Sequence, residues 1–147
     1  MDAKIFEDGE GEVYGAGAGR TRFLAQAPTE PIAITDTTIP PAFKGPVPHR
    51  RTTMYDIFYV LDGTLELTVG SETRKLDAHA FALIPPGVVH TFSNPGSTPV
   101  RFLNIHDPAG MEQYVKEVGK RMAAGQPPSP SEMAELASQY DFEPVAE

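Results

Sequence analysis

The sequence predicts an all-β protein, a small closed barrel followed by two helices, and three observations support this fold class. Between residues 41 and 106, short runs of β-branched and aromatic residues alternate with turn residues. No long helical pattern separates these runs, so the strands are expected to be antiparallel and to close into a barrel or sandwich. After residue 107 the spacing of apolar residues changes from two to about 3.6, the period of a helix.

The composition fits one globular domain and excludes several kinds of partner and site. Of the 147 residues, 40% are hydrophobic, which is enough for a sizeable core. The net charge of −8 repels phosphate backbones and anionic membranes, so we expect neither a nucleic-acid nor a membrane partner. The N-terminal residues contain no basic leader or apolar run, which predicts a cytoplasmic protein. Because cysteine is absent, any metal ion must bind histidine and carboxylate side chains.

Residues 1–40 are predicted to supply strands that lead into the barrel. The glycine-rich stretch at residues 15–19 is interpreted as a plain turn rather than a phosphate loop. A phosphate loop requires a strand-turn-helix context with a following lysine and hydroxyl, which this stretch lacks. Ile32, Ile34 and Thr38 then indicate strands that enter the barrel.

Residues 41–107 are predicted to form the barrel core. Asp62-Gly63 lies between two runs of β-forming residues and supplies the positive φ angles of a tight turn, which predicts a hairpin. Further turns are predicted at Gly70-Ser71 and at residues 85–87. The side chains predicted to fill the core or line a pocket are Phe58, Leu83, Phe92 and Phe102.

Residues 108–147 are predicted to form a helical tail within the same domain. Ser129-Pro130-Ser131-Glu132 has the form of a capping box and indicates the start of the second helix. Nothing on either helix suggests chemistry, so both are assigned a structural role. The predicted apolar faces are Met111, Tyr114, Val115, Val118 and Met122 on the first helix and Met133, Leu136, Ala137 and Tyr140 on the second.

Three strand segments carry polar side chains that can meet inside the barrel. Residues two apart on a strand share a face, so three sets of residues can each point inward together. These sets are His49 with Arg51, Asp56 with Phe58, and His90 with Phe92 and Asn94. If the strands are neighbours, two imidazoles and one carboxylate converge in an apolar shell. Such a set can hold a divalent first-row metal ion and leave positions open for substrate or oxygen.

Two blocks of the sequence resemble the two motifs of the cupin family. They are GPVPHRRTTMYDIFYVLDG at residues 45–63 and HAFALIPPGVVHTFSN at residues 79–94. The matching residues are Gly45, His49, Gly63, Pro85, Gly87, His90 and Asn94. The segment TIPP and the helical tail are similar to those of the small bacterial cupins grouped with quercetin dioxygenases. The resemblance covers most of the chain and implies a double-stranded β-helix, or jelly-roll barrel.

This chain departs from the family pattern at the metal site. The family binds its metal with three histidines and one glutamate, whereas here Arg51 stands at the second histidine position and Asp56 at the glutamate position. A guanidinium cannot be a ligand, because it has no accessible neutral form near neutral pH. The resemblance therefore leaves His49, Asp56 and His90 as candidate ligands for iron, manganese, nickel or zinc. The alternative is that the metal is absent and Asp56 pairs with Arg51 instead.

The resemblance implies an enzyme acting on a small, largely apolar substrate, aromatic or polyketide-like, with an enolic, phenolic or acidic group. Three mechanisms stay open. A metal held by His49, Asp56 and His90 can activate oxygen or act as a Lewis acid. Without a metal, either histidine can serve as acid-base catalyst for an isomerisation, cyclisation or decarboxylation, with Arg51 stabilising an oxyanion. The third alternative is a non-catalytic cupin that recognises a carboxylate through Arg51.

The remaining predictions concern substrate contacts, oligomeric state and the other histidines. Arg51, Phe58 and Phe92 are the candidate substrate contacts. A homodimer is expected, because a small barrel exposes sheet edges that need covering. His79 lies beside a turn and His106 ends the last predicted strand, and neither is assigned a role.

Overall fold

A computed structural model describes residues 2–145 and contains eleven strands and two helices in that range. The strands are β1 (Glu12–Ala16), β2 (Gly19–Ala25), β3 (Ala33–Ile39), β4 (His49–Arg50), β5 (Tyr55–Asp62), β6 (Leu65–Val69), β7 (Glu72–Leu76), β8 (Phe81–Ile84), β9 (His90–Ser93), β10 (Val100–Asp107) and β11 (Glu143–Pro144). The helices are α1 (Met111–Ala123) and α2 (Pro130–Ala137).

The strands form two antiparallel sheets that share one core. The first sheet has the order β1-β2-β3-β10-β5-β8, and the second has the order β11-β4-β9-β6-β7. Both sheets contribute apolar side chains to the space between them, as the alternation of inward and outward residues predicts. The core residues are Ile39, Phe58, Val60, Leu65, Leu67, Ile84, Val100 and Phe102. The predicted all-β fold class with terminal helices is confirmed.

The chain bends at the predicted turns, but the two strands on either side of one turn do not pair with each other as predicted. The turn at Gly70-Ser71 is a true hairpin, in which Val69 lies opposite Glu72. The hairpin predicted at Asp62-Gly63 is wrong, because β5 belongs to the first sheet and β6 to the second. Gly63 has a φ of 83° and turns the chain from one sheet to the other. A Cβ at this position would lie 2.7 Å from the carbonyl oxygen of Pro99, so only glycine fits the corner.

Both predicted helices are present, but their apolar faces are only partly buried. The hydroxyl of Ser129 accepts a hydrogen bond from the backbone N–H of Glu132, and the Glu132 carboxylate accepts one in return, which completes the capping box. Ala137 is buried as predicted, whereas Met122 and Met133 are exposed. Within residues 2–145, neither helix is long and apolar enough to cross a membrane.

The chain after α2 returns to the barrel as a strand rather than continuing as a helical tail. β11 pairs antiparallel with β4, which places Glu143 opposite Arg50 and Pro144 opposite His49. A proline disfavours helical conformation in the residue before it, which agrees with an extended segment here. The return brings residues 138–145 to the end of the barrel where the predicted site lies.

The outward side of β8 is an apolar sheet edge. Phe81 and Leu83 are 60% and 46% exposed, and Tyr55 on the neighbouring β5 is 43% exposed. The prediction that Leu83 fills the core is wrong, because strand alternation turns Ile84 inward and Leu83 outward. Large apolar side chains at an unpaired edge favour association with another chain.

We propose that this edge forms the interface of the expected homodimer. The substitution Leu83→Glu should then shift sedimentation from dimer to monomer, because it places a charge in an apolar contact. Met122→Glu is the control, since Met122 is also an exposed apolar residue but lies on α1. Analytical ultracentrifugation measures both variants. A wild-type chain that sediments only as a compact monomer would contradict the proposal.

Candidate functional site

The strands β4, β5 and β9 bring the three candidate metal ligands together. His49 opens β4, Asp56 lies near the start of β5, and His90 opens β9. His49 and His90 are direct partners across the second sheet, whereas Asp56 reaches them from the first. All three side chains are buried. One potential ligand atom from each lies within 4.8 Å of those of the other two, so the group can hold a metal ion.

Backbone carbonyl groups fix both imidazole rings. His49 Nδ1 lies 2.8 Å from the carbonyl oxygen of Val47, and His90 Nδ1 lies 3.0 Å from that of Val88. Since a carbonyl oxygen can only accept, each Nδ1 carries the proton and donates it. Metal-binding histidines are oriented in this way, because the bond from one ring nitrogen leaves the other free as a ligand. Among the residues that the structure describes, none is a hydrogen-bond partner of the buried His49 Nε2, which fits a ligand position.

The contact between His90 and Asp56 also fits a metal centre. His90 Nε2 lies 2.8 Å from Asp56 Oδ2. With Nδ1 protonated, the Nε2 of a neutral ring and the carboxylate oxygen both present lone pairs and repel each other. A favourable contact at this distance therefore requires a positive charge between the two atoms. Either His90 carries a second proton on Nε2, or a metal ion lies between Nε2 and the carboxylate. His49, Asp56 and His90 together offer two nitrogen atoms and one carboxylate, which fits a divalent ion that takes the place of that proton.

Asp56 is the centre of a buried polar network. Its Oδ1 accepts a hydrogen bond from Asn104 Nδ2 at 2.8 Å and lies 3.2 Å from His106 Nε2, while its Oδ2 lies 3.4 Å from Arg51 Nη2. Burial raises the pKa of Asp56, but the nearby charges of His106 and Arg51 and the hydrogen bond with His90 outweigh burial and hold it well below its ordinary value. Asp56 is therefore an ionised carboxylate, as either a metal ligand or an ion-pair partner must be.

Arg51 lies inside the site and makes the ion pair with Asp56 that was expected as the alternative to a metal. Its Nη1 donates to the carbonyl oxygen of Asp141 at 3.1 Å, and its buried Nε has no hydrogen-bond partner within residues 2–145. Burial and the charge of Arg51 lower the pKa of His49 to about 4, so its imidazole is neutral near neutral pH. Arg51 thus provides a fixed positive charge beside a neutral imidazole and a carboxylate.

The strand β10 supplies two site residues that the sequence analysis did not assign. Asn104 and His106 lie opposite Phe58 and Asp56 in the register with β5. His106 is buried, and in the described part of the chain neither of its ring nitrogens makes a hydrogen bond of good geometry, although Nε2 is close to Asp56. A two-residue period continued from Phe102, which was predicted to face inward, would have placed both residues inside.

A segment far away in sequence covers the site, and we call residues 138–145 the strap. The ring of Phe142 stacks on the imidazole of His49 with centroids 4.2 Å apart and an interplanar angle of 21°. The Asp141 carboxylate accepts five hydrogen bonds of 2.6 to 3.1 Å from backbone and hydroxyl groups of residues 52–54. Burial raises the pKa of Asp141, but these hydrogen bonds outweigh burial and lower the pKa to about 2. No sequence motif predicted this contact.

The other predicted residues lie below the site or away from it. Phe58 and Phe92 form an apolar floor, with ring centroids 5.5 Å apart, and Phe58 meets the ring of His90 edge-on at 6.4 Å. Their role as substrate contacts stays a prediction. His79 is exposed at a turn beside Tyr59, outside the barrel.

A comparison with known sequences finds a family and one distant relative. Residues 35–106 match the family model described as a cupin domain. Mannose-1-phosphate guanylyltransferase RfbM of Salmonella typhimurium is 37% identical over 46 residues, which is 31% of this chain and 10% of that enzyme. The chain therefore spans only a small part of the curated relative that it matches.

Solved structures agree with this match at the level of the fold. The structure of KdgF from Halomonas sp. has a TM-score of 0.65 and 16% sequence identity, and the likeness covers 76% of this chain and 99% of that one. An RmlC-like cupin from Shewanella frigidimarina has a TM-score of 0.61 and 18% identity, with coverage of 76% and 96%. At these identities the likeness shows a common architecture and carries no information about substrate.

Proposed function

Because residues 35–106 form a cupin domain within the fold of a small cupin, we propose that this protein is a metal-dependent cupin enzyme. Its substrate is a small, largely apolar molecule with an enolic, phenolic or acidic oxygen. One observation carries the proposal. Both imidazoles donate Nδ1–H to backbone carbonyls, which leaves the Nε2 atoms of His49 and His90 to act together with the Asp56 carboxylate.

Each residue of the site has a distinct part in this proposal. His49, Asp56 and His90 hold the ion, which when bound acts as a Lewis acid on the substrate oxygen or activates oxygen. Arg51 orients the acidic or enolic group with its planar fork and stabilises negative charge that develops there. Phe58 below the site keeps water away from the polar groups, which strengthens their electrostatic effect.

A second candidate function is acid-base catalysis without a metal, and the Arg51–Asp56 ion pair favours it. This pair supplies the positive charge that a metal ion would otherwise provide beside the carboxylate. His49, neutral near neutral pH, then accepts a proton from the substrate, and Arg51 stabilises the resulting oxyanion. Isomerisation, cyclisation and decarboxylation are the reaction types that fit this arrangement.

Metal binding separates the two candidates. Equilibrium dialysis against Mn²⁺, Ni²⁺ or Zn²⁺, followed by elemental analysis, should give one ion per chain, bound more weakly than by four ligands because Arg51 repels it. His90→Ala should lower the affinity by at least about tenfold, since even outer-shell partners of a ligand contribute that much. His79→Ala is the matched control and should bind as the wild type does. Equal binding by His90→Ala would overturn the ligand assignment.

Turnover then separates an enzyme from a ligand-binding cupin. The metal-loaded protein should convert members of a panel of small enolic and phenolic acids, followed by mass spectrometry. Oxygen consumption in the same reactions distinguishes dioxygenase chemistry from Lewis-acid chemistry. Binding of panel members without conversion of any of them would contradict the enzymatic proposal and favour a binding role for Arg51.

A further inference from the structure

The strap closes the site to solvent. His49, Arg51, Asp56 and His90 are each no more than 4% exposed, although they form the proposed reaction centre. Phe142 lies against both His49 and Arg51, with the Arg51 guanidinium 5.3 Å from the centre of its ring. A substrate therefore cannot reach these groups while the strap is in place.

The strap makes the kind of contacts that a ligand in this site would make. Its aromatic ring stacks nearly parallel on the imidazole of His49, and the same ring lies within cation–π distance of Arg51. The carbonyl oxygen of the preceding residue, Asp141, accepts a hydrogen bond from Arg51 Nη1. The flat ring of Phe142 and the backbone carbonyl oxygen of Asp141 thus lie together beside the proposed ligand His49.

The attachment of the strap to the barrel is short and largely polar. β11 contributes two residue pairs with β4, and the backbone N–H of Val145 donates to the carbonyl oxygen of Pro48 at 2.9 Å. The ion pair between Arg50 and Glu143 is close to half exposed on both sides. The Asp141 carboxylate accepts five further hydrogen bonds from residues 52–54. Segments held by few apolar contacts open locally more readily than core strands do.

We propose that the strap is an intramolecular competitor of the substrate, and that the substrate is a planar aromatic acid. The ring of this acid takes the place of Phe142 on His49, and its carboxylate takes the place of the Asp141 carbonyl oxygen on Arg51, where it can bind in a bidentate manner. The inference rests on the proposed function for the position of the substrate beside His49. It adds the substrate class and the residue that the substrate displaces.

Chemical labelling tests whether the strap covers the site, and it requires neither a metal ion nor a substrate. Diethyl pyrocarbonate acylates accessible imidazoles, and peptide mass spectrometry follows each histidine separately. His49 should be labelled at least about tenfold faster in Asp141→Ala than in the wild type, because loss of the carboxylate frees the strap. Exposed His79 is the internal reference and should not change. Glu143→Gln, which alters only an exposed strap contact, should label His49 as slowly as the wild type does.

A second variant keeps the labelling test decisive if Asp141→Ala fails to fold. Phe142→Ala leaves the Asp141 hydrogen bonds in place and removes only the stacked ring. It should also expose His49 to the reagent while leaving the thermal unfolding transition cooperative. If His49 in the folded wild type reacts as fast as His79, or if neither strap variant accelerates its labelling, the strap is not a cover and the inference is wrong.

Two probes of equal charge and similar size test the substrate class. Benzoate has a flat ring, whereas the ring of cyclohexanecarboxylate is puckered and stacks poorly. In NMR titrations of the metal-free protein, benzoate should bind Phe142→Ala at least about tenfold more tightly than wild type, since no ring has to be displaced. It should also bind more tightly than cyclohexanecarboxylate. Equal affinities for the two acids would overturn the aromatic class, and equal affinity of wild type and variant would overturn competition by the strap.

These outcomes are separate from those of the proposed function. Labelling and benzoate binding require neither a metal ion nor turnover, so either can succeed in a protein that binds no metal. Conversely, a protein that loads one ion per chain can still show rapid labelling of His49. That result would support the proposed metal site and contradict the inference that the strap covers it.

Discussion

The substitution Asp56→Ala is expected to lower the free energy of unfolding by roughly 3–5 kcal/mol, because it removes one partner of a buried ion pair. The guanidinium of Arg51 and the amide of Asn104 would both lose their carboxylate partner in a region closed to water. Asp62→Ala is the matched control, since it removes an exposed carboxylate from the end of the same strand. Its effect should stay within about 0.5 kcal/mol, as for most surface substitutions.

Urea unfolding of the metal-free protein measures this loss, and its pH dependence has a definite sign. Because the pKa of Asp56 is lower in the folded than in the unfolded protein, its contribution is fully present above the ordinary carboxylate range. The contribution is lost as the pH falls through the lowered pKa of the folded state. A loss of less than about 1 kcal/mol in Asp56→Ala would show that the network contributes no more than an exposed pair.

The substitution Arg51→His is expected to strengthen metal binding by the site and to weaken its binding of a carboxylate ligand. A histidine at this position adds a neutral nitrogen ligand and removes a repelling charge, so the affinity for Mn²⁺ or Ni²⁺ should rise by at least about tenfold. Binding of benzoate should weaken by roughly 1–3 kcal/mol, because the planar fork that holds a carboxylate is lost. Dialysis with elemental analysis and NMR titration measure the two effects.

Two control variants isolate the role of the guanidinium. Arg51→Lys keeps the charge without the fork, so it should gain no metal affinity and still lose part of the benzoate affinity. Arg50→His introduces a histidine at the neighbouring position, whose side chain pairs with Glu143 on the surface, and should change neither property. If Arg51→His retains wild-type benzoate affinity, Arg51 does not bind the substrate and serves only to neutralise Asp56.

Strand alternation predicted correctly that the three candidate ligands share the inside of the barrel. It placed His49, Asp56 and His90 inside, and all three are buried and close together. It failed for Leu83, because a run of four apolar residues in β8 does not show which alternate pair faces inward. The glycine turn after β5 was recognised as a bend, but the dipeptide contains no information about which strands pair on either side.

The residues that sequence reasoning missed depend on contacts between distant parts of the chain. His106 lies beside Asp56 because β10 pairs with β5 in one particular register, and neither strand specifies that register alone. Phe142 reaches His49 through the pairing of Pro144 with His49, across a separation that no local pattern predicts. Such pairings follow from how the whole barrel closes, so they appear only when the complete structure is considered.

Pulsed electron paramagnetic resonance of the Cu²⁺-loaded protein tests the metal site most directly. The distal Nδ1 of a histidine that binds copper through Nε2 modulates the electron spin echo, so the modulation depth counts the ligating imidazoles. Two imidazoles are expected in the wild type, one in His90→Ala and one in His49→Ala, with His79→Ala unchanged. An absence of imidazole modulation in the wild type, or the same modulation in His90→Ala, would contradict the assignment of His49, Asp56 and His90 as a metal site.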